Sequence, residues 1–136
     1  MATLAFLDAV VSVNAKNLSP DGVKVDLDYS AEELEDTAFG DTTKSRIGGM
    51  FDWGGTFEFN QDFAATPAPD VDLFAVVGTV VAIAVKPTSS STSATNPDYQ
   101  GNALITNYKV FGQGVGELAK AVVTFVAAGN LSRITA

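Results

Sequence analysis

Hydrophobic and polar positions alternate along most of this chain with a period of two. Val23, Val25, Leu27 and Tyr29 interleave with Lys24, Asp26 and Asp28, the pattern of a strand with one face buried. Ser19-Pro20-Asp21-Gly22 before it is a turn, because Pro presets φ, Asp bonds locally and Gly tolerates positive φ. Val10, Val11 and Val13 are therefore expected to form the partner strand of a first hairpin.

The longest alternation sets Phe51, Trp53, Phe57, Phe59 and Phe63 on one parity and Asp52, Thr56, Glu58, Asn60 and Asp62 on the other. Gly54 and Gly55 predict a bulge or bend within that strand, and Trp53 with its neighbouring Phe residues reads as core. Pro67-Ala68-Pro69-Asp70 ends the strand and opens a short helix over Asp70 to Val77, stopped by Gly78. Val80 to Val85, Leu104 to Phe111 and Ala121 to Ala127 are three further strands. The expected fold is mainly β: a single domain over residues 1–136, a β-sandwich or barrel of about six or seven strands with one short α-helix.

Two connections are long for so small a domain, where about 4–6 residues is usual. Residues 30–50 carry Leu34, Phe39, Ile47 and Met50, apolar anchors in a polar, glycine-rich stretch; residues 87–102 hold a Ser/Thr tract, Ser89 to Thr95, that looks mobile in isolation.

Charge narrows the function classes. Sixteen acidic and eight basic residues leave a net charge of −8, which opposes capture of nucleic acid and docking on an anionic membrane surface. The longest uncharged apolar stretch, Leu73 to Val85, is too short for a membrane span, which needs about 20 residues. The opening MATLAFLDAVV lacks a basic n-region and carries Asp8, unlike a signal peptide, so the expectation is a soluble protein made in the cytoplasm.

Without His or Cys there are no His-dependent triads, thiolates or His/Cys metal sites. Asp26, Asp28 and Ser30 start like a calcium loop, but Ala31 and Thr37 stand where it needs Gly and Glu. Gly112-x-Gly114-x-Gly116 fails the dinucleotide spacing and precedes a strand. No enzymatic activity and no cofactor is read from these residues. Asp26, Asp28, Glu32, Glu33, Glu35, Asp36 and Asp41 form an acidic run without Lys or Arg until Lys44. It suits a solvated face or a surface that repels a polyanion; Ser30 and Glu33 would also fit a capping box for one helical turn.

Asp36-Thr37-Ala38-Phe39-Gly40-Asp41, followed by Ile47-Gly48-Gly49 and a Trp-bearing strand, resembles a segment of the major tail (tail tube) proteins of long-tailed bacteriophages. Asn96-Pro97-x-Tyr99-x-Gly101-x-x-Leu104 and Val115-Gly116-Glu117-Leu118-Ala119, then Gly129-x-Leu131-x-Arg133, are similar to such proteins as well. The resemblance spans nearly the whole chain. It implies a subunit that forms stacked, hexameric rings around a channel through which DNA passes without specific binding, located in the virion tail and meeting other tail proteins such as the tape measure and terminator.

On that reading Thr37, Phe39, Gly40, Asp41, Arg46, Ile47 and Gly48 belong to an assembly loop, and Asp26, Asp28, Glu58 and Asp62 supply a negative channel wall. Lys44 and Arg46 would pair with acids of an adjacent subunit. A related ring-forming tube or capsid decoration protein is the nearest alternative. A monomeric carbohydrate-binding β-sandwich, with Trp53, Tyr99 and Tyr108 stacking on sugar, is the alternative from another class.

Overall fold

The structure, a computed structural model, describes residues 3–136; Met1 and Ala2, the start of the segment compared with a signal peptide, lie outside them. Eight strands and one short helix follow in order: β1 (Val10–Val13), β2 (Lys16–Asn17), β3 (Gly22–Glu35), β4 (Arg46–Asn60), α1 (Pro69–Phe74), β5 (Val80–Lys86), β6 (Asp98–Lys109), β7 (Lys120–Ala127) and β8 (Ser132–Ile134). They form one antiparallel sheet in the order β2-β1-β5-β6-β7-β4-β3, with β8 on β6.

Alternation selects the face. Val81, Ile83 and Val85 of β5, Trp53, Phe57 and Phe59 of β4, and Ala121, Val123 and Phe125 of β7 are buried. Val11 and Val13 near one end of the sheet share this core with Val25 and Leu27 at the other, so the sheet is curled around its apolar side as a sandwich-like fold. Leu73, Val76 and Pro69, on and just after α1, close one end of the core. Phe57 and Phe125 meet with ring centroids 4.7 Å apart.

The ladder departs from the sequence expectation in several places. β1 pairs with β2 and β5, not with β3. Asn14 and Ala15 both adopt positive φ and make the two-residue turn that right-twisted hairpins favour. Ser19–Asp21 is a 3₁₀ turn that hands the chain to the opposite edge, where β3 pairs only with β4. Its Ser19 Oγ accepts the Val11 N–H at 2.8 Å.

Gly54 and Gly55 carry no bulge; the register shifts lie between Gly22 and Lys24 and between Ala31 and Glu33. The glycines answer a close approach instead. A Cβ on Gly55 would collide with the Asp26 carbonyl, and one on Gly54 would stand 2.8 Å from the Phe125 carbonyl oxygen.

Ser30 and Glu33 lie within β3, so no helical turn forms there. The helix runs Pro69–Phe74, slightly short of expectation, and Gly78 follows it at φ +83°. β2 and β8 raise the strand number to eight.

Both long connections shrink. β6 begins at Asp98, and the Ser/Thr tract folds around the buried Asn96. The Asn96 Oδ1 accepts the Thr88 N–H at 3.1 Å while Nδ2 donates to the Ser90 carbonyl at 2.8 Å. Ser89 donates through Oγ and N–H to Asp8, which holds that carboxyl below its ordinary range. The segment expected to be mobile is thus tied on both sides. Residues 30–50 become the outer half of the β3–β4 ribbon, with a loop only from 36 to 45.

Candidate assembly interface

The ribbon outruns its sheet. β7 accompanies β4 only from Asn60 to Gly54, whereas β3 accompanies it as far as Glu35 opposite Arg46. Beyond Trp53, two strands continue without a third. Opposed residues of an antiparallel pair share a face, so the core face continues outward through Tyr29 opposite Trp53 and Ala31 opposite Phe51; beyond the register shift that follows Ala31, Leu34 opposite Ile47 lies on the other face, that of Asp26 and Asp28. Tyr29 stacks on Phe51 with centroids 5.5 Å apart. Yet Phe51 is 69% exposed, and Leu34, Ile47 and Met50 are exposed too. Phe51 and Phe63 were both expected in the core; Phe51 lies past the end of β7, and Phe63 follows the end of β4. Two-stranded hairpins are marginal by themselves in water, so this arm carries apolar side chains without cover on both of its faces.

Its tip is stiff. The Asp36 N–H donates to the Ser45 carbonyl at 2.9 Å, and the Ser45 N–H donates to Thr37 Oγ1 at 2.8 Å. Asp41 accepts the Ala38 N–H at 2.7 Å and returns its own N–H to the Ala38 carbonyl. Gly40, at φ +92°, supplies the left-handed residue this turn requires. Phe39 is carried outward at 110% exposure. Of the remaining candidates, Ile47 and Gly48 lie in β4, and Arg46 Nε meets Glu33 Oε1 at 2.6 Å within the same subunit. Arg46 is therefore already engaged by its own chain.

The acidic candidates divide. Lys24 stands opposite Glu58 and Asp26 opposite Thr56, which puts Asp26, Asp28 and Glu58 on the ribbon's polar face. With Asp52 and Ser30, Asp26 and Asp28 border an open groove of about 500 Å³ floored by Gly54 and Gly55. Lys120 Nζ lies 3.8 Å from Glu58. Asp62 is not on this face. It lies beyond β4, where its Oδ1 accepts the Ala64 N–H and it neighbours Asp21, whose carboxyl is pushed up by burial and then by the charge and hydrogen bond of Asp62. Asp26, Asp28 and Ser30 alternate along a strand, which does not wrap a cation as a calcium loop does.

Trp53 offers no sugar platform: it is 4% exposed, and its Nε1 donates to the Gly129 carbonyl at 2.8 Å. Tyr108 is tied too. Its hydroxyl donates to Asp70 at 2.9 Å and accepts from Gln61 Nε2 at 2.9 Å, linking β6 to α1 and to the end of β4. Burial pushes the phenol up to about 12; Gln61 opposes this and Asp70 adds to it. A phenol raised from 10.0 contributes stability that is complete below pH 10 and is lost as pH climbs to about 12. Tyr108→Phe is therefore expected to remove the alkaline loss of stability in that window and to cost about 1–2 kcal/mol at neutral pH, measured by urea unfolding at both pH values.

No helix among the described residues is long and apolar enough to cross a membrane. No protein-family model matches the chain, and no curated protein matches it in sequence. Solved structures do match in fold. One is a chain from the virion of a native gene transfer agent particle, with TM-score 0.71 and 16% identity over 94% of this chain and 96% of that one. Another is from the tail of an empty gene transfer agent particle with C6 symmetry, with TM-score 0.67 and 17% identity over 88% of this chain and 87% of the other. The curled eight-stranded sheet described above is thus a fold that this chain has in common with chains of gene transfer agent particles.

Proposed function

We propose that the chain is a non-enzymatic structural subunit of a phage-type tail tube. Subunits polymerise as stacked hexameric rings around a negatively charged channel for DNA delivery, in the virion tail, in contact with tape-measure and terminator proteins. The observation that carries this reading is the β3–β4 arm, an apolar two-stranded ribbon with a stiffened tip that its own subunit leaves uncovered. A monomer gains nothing from such an arm, whereas a neighbour covering Phe39, Ile47 and Met50 contributes about 1.5–3 kcal/mol for each fully buried side chain, offset partly by the cost of association. The likeness, over 88% of this chain, to a chain from a C6-symmetric tail supports rings of six.

The test is negative-stain microscopy and sedimentation of the purified protein at rising concentration, with hydrogen exchange before and after assembly. Rings or tubes are expected, together with slowed exchange across residues 36–50 in the assembled form. Discrete caps favour a decoration protein. A monomer at every concentration, or equal protection in both states, overturns the reading.

A further inference from the structure

The strand directions give the subunit two unlike ends. The 36–45 tip stands at one. At the other, Asn60 pairs with Lys120 and Lys109 with Val122, so β4 and β6 finish where β7 begins. Gln61 binds this end together, donating its N–H to the Ala119 carbonyl and its Nε2 to the Val110 carbonyl. Phe63, Phe111, Val115, Leu118 and, on α1, Phe74 are all exposed here, Val115 at 107%. Their uncovered area is on the order of 600 Å², counting about 200 Å² for each full aromatic side chain. That is most of the roughly 800 Å² each partner gives to a stable interface, and at the upper end of the roughly 300–600 Å² that the largest patch of a typical monomer leaves bare.

Charge does not set this contact, which rests on the apolar side chains: the tip holds Asp36 and Asp41 beside Lys44, and Lys109 and Lys120 flank residues 110–119 at the other end.

We infer that the end bearing Phe63, Phe74, Phe111, Val115 and Leu118 is the receiving surface for the arm of a second copy, so that subunits join head to tail along the strand direction. The inference rests on the assembly proposed above and adds the surface that answers the arm. Each half lies at its own end of one chain, so the contact is heterologous; it repeats without closing on itself and leaves one free arm and one free receiver after every addition.

Complementation tests this. Phe39→Asp spoils the arm alone, and Val115→Asp, with Leu118→Ser as an independent second variant, spoils the receiver alone. All three replace exposed side chains, so thermal midpoints of the monomers should match wild type. Each variant alone is expected to raise the critical concentration for tube growth by at least roughly tenfold. An equimolar mixture of an arm variant and a receiver variant retains one sound arm and one sound receiver, and is expected to give paired particles that grow no further. If both receiver variants grow tubes like wild type, or the mixture stays unpaired, the receiver assignment is wrong while the tube reading stands. A wild type that never assembles defeats the tube reading itself.

Discussion

Phe57→Ala is expected to cost the isolated subunit about 3–5 kcal/mol, whereas Phe39→Ala leaves its unfolding midpoint nearly unchanged and weakens polymerisation. The two residues have the same side chain in opposite situations. Phe57 is fully buried, with Phe125 at 4.7 Å and Phe59 at 6.2 Å between ring centroids. Truncation there opens a cavity at the centre of the curled sheet, and a domain holds only about 5–15 kcal/mol in total. Phe39 has no packing within its own subunit to lose. Urea unfolding below the assembly concentration reads the first effect, and sedimentation above it reads the second. A larger loss of monomer stability for Phe39→Ala than for Phe57→Ala would reverse the assignment of core and interface.

Which residues face the core was legible in the period-two pattern at β5, β7 and the inner half of β4, because side-chain alternation is a local property. Which strand lies beside which was not. Val10–Val13 reads equally well as a partner for β3 or for β5; alternation states the face a strand buries, not its neighbour. The choice is made by Asn14-Ala15 turning the chain within four residues and by the 3₁₀ turn after it, and β2 and β8 are too short for any period to register.

The arm was visible as apolar anchors in a polar segment, but its strand character was hidden. Glu32, Glu33, Glu35, Gly48 and Gly49 have low β propensity, and the ladder forms because β3 and β4 are already paired nearer the core. Phe51 and Phe63 share the parity of the buried aromatics and are nonetheless exposed, since burial also requires a covering element, and β7 stops before the one and β4 before the other. The hydrogen bonds that Asn96 gathers from the Ser/Thr tract run backward from a residue beyond it, so composition alone makes that tract look loose.

If Asp26 and Asp28 line the channel of the proposed tube, reversing both to lysine is expected to leave tubes intact and to turn a passage that repels DNA into one that grips it. Both side chains are exposed on the polar face of the ribbon, and neither has a salt-bridge partner among the described residues, so exposed substitutions there should shift subunit stability by no more than about 0.5 kcal/mol. The electrostatic effect is much larger. A wall of low dielectric enclosing solvent focuses like charges into the lumen, and a ring repeats each substitution in every subunit. Proteins that neutralise about 6–10 phosphates lose roughly 10³–10⁵ in affinity between 50 and 200 mM salt, which sets the scale of the brake that two lysines per subunit would apply.

Tubes of the double variant should retain DNA at low salt and release it as salt rises, and a phage complemented with the variant should deliver DNA poorly. Asp62→Lys is the internal control, because Asp62 lies off this face beside Asp21; its delivery should stay near wild type. Glu58→Lys is less informative, since it also breaks the contact with Lys120. Normal delivery by the Asp26 and Asp28 variant, with no salt-sensitive DNA retention, would place this face on the outside of the tube and leave the acidity as a solvated exterior.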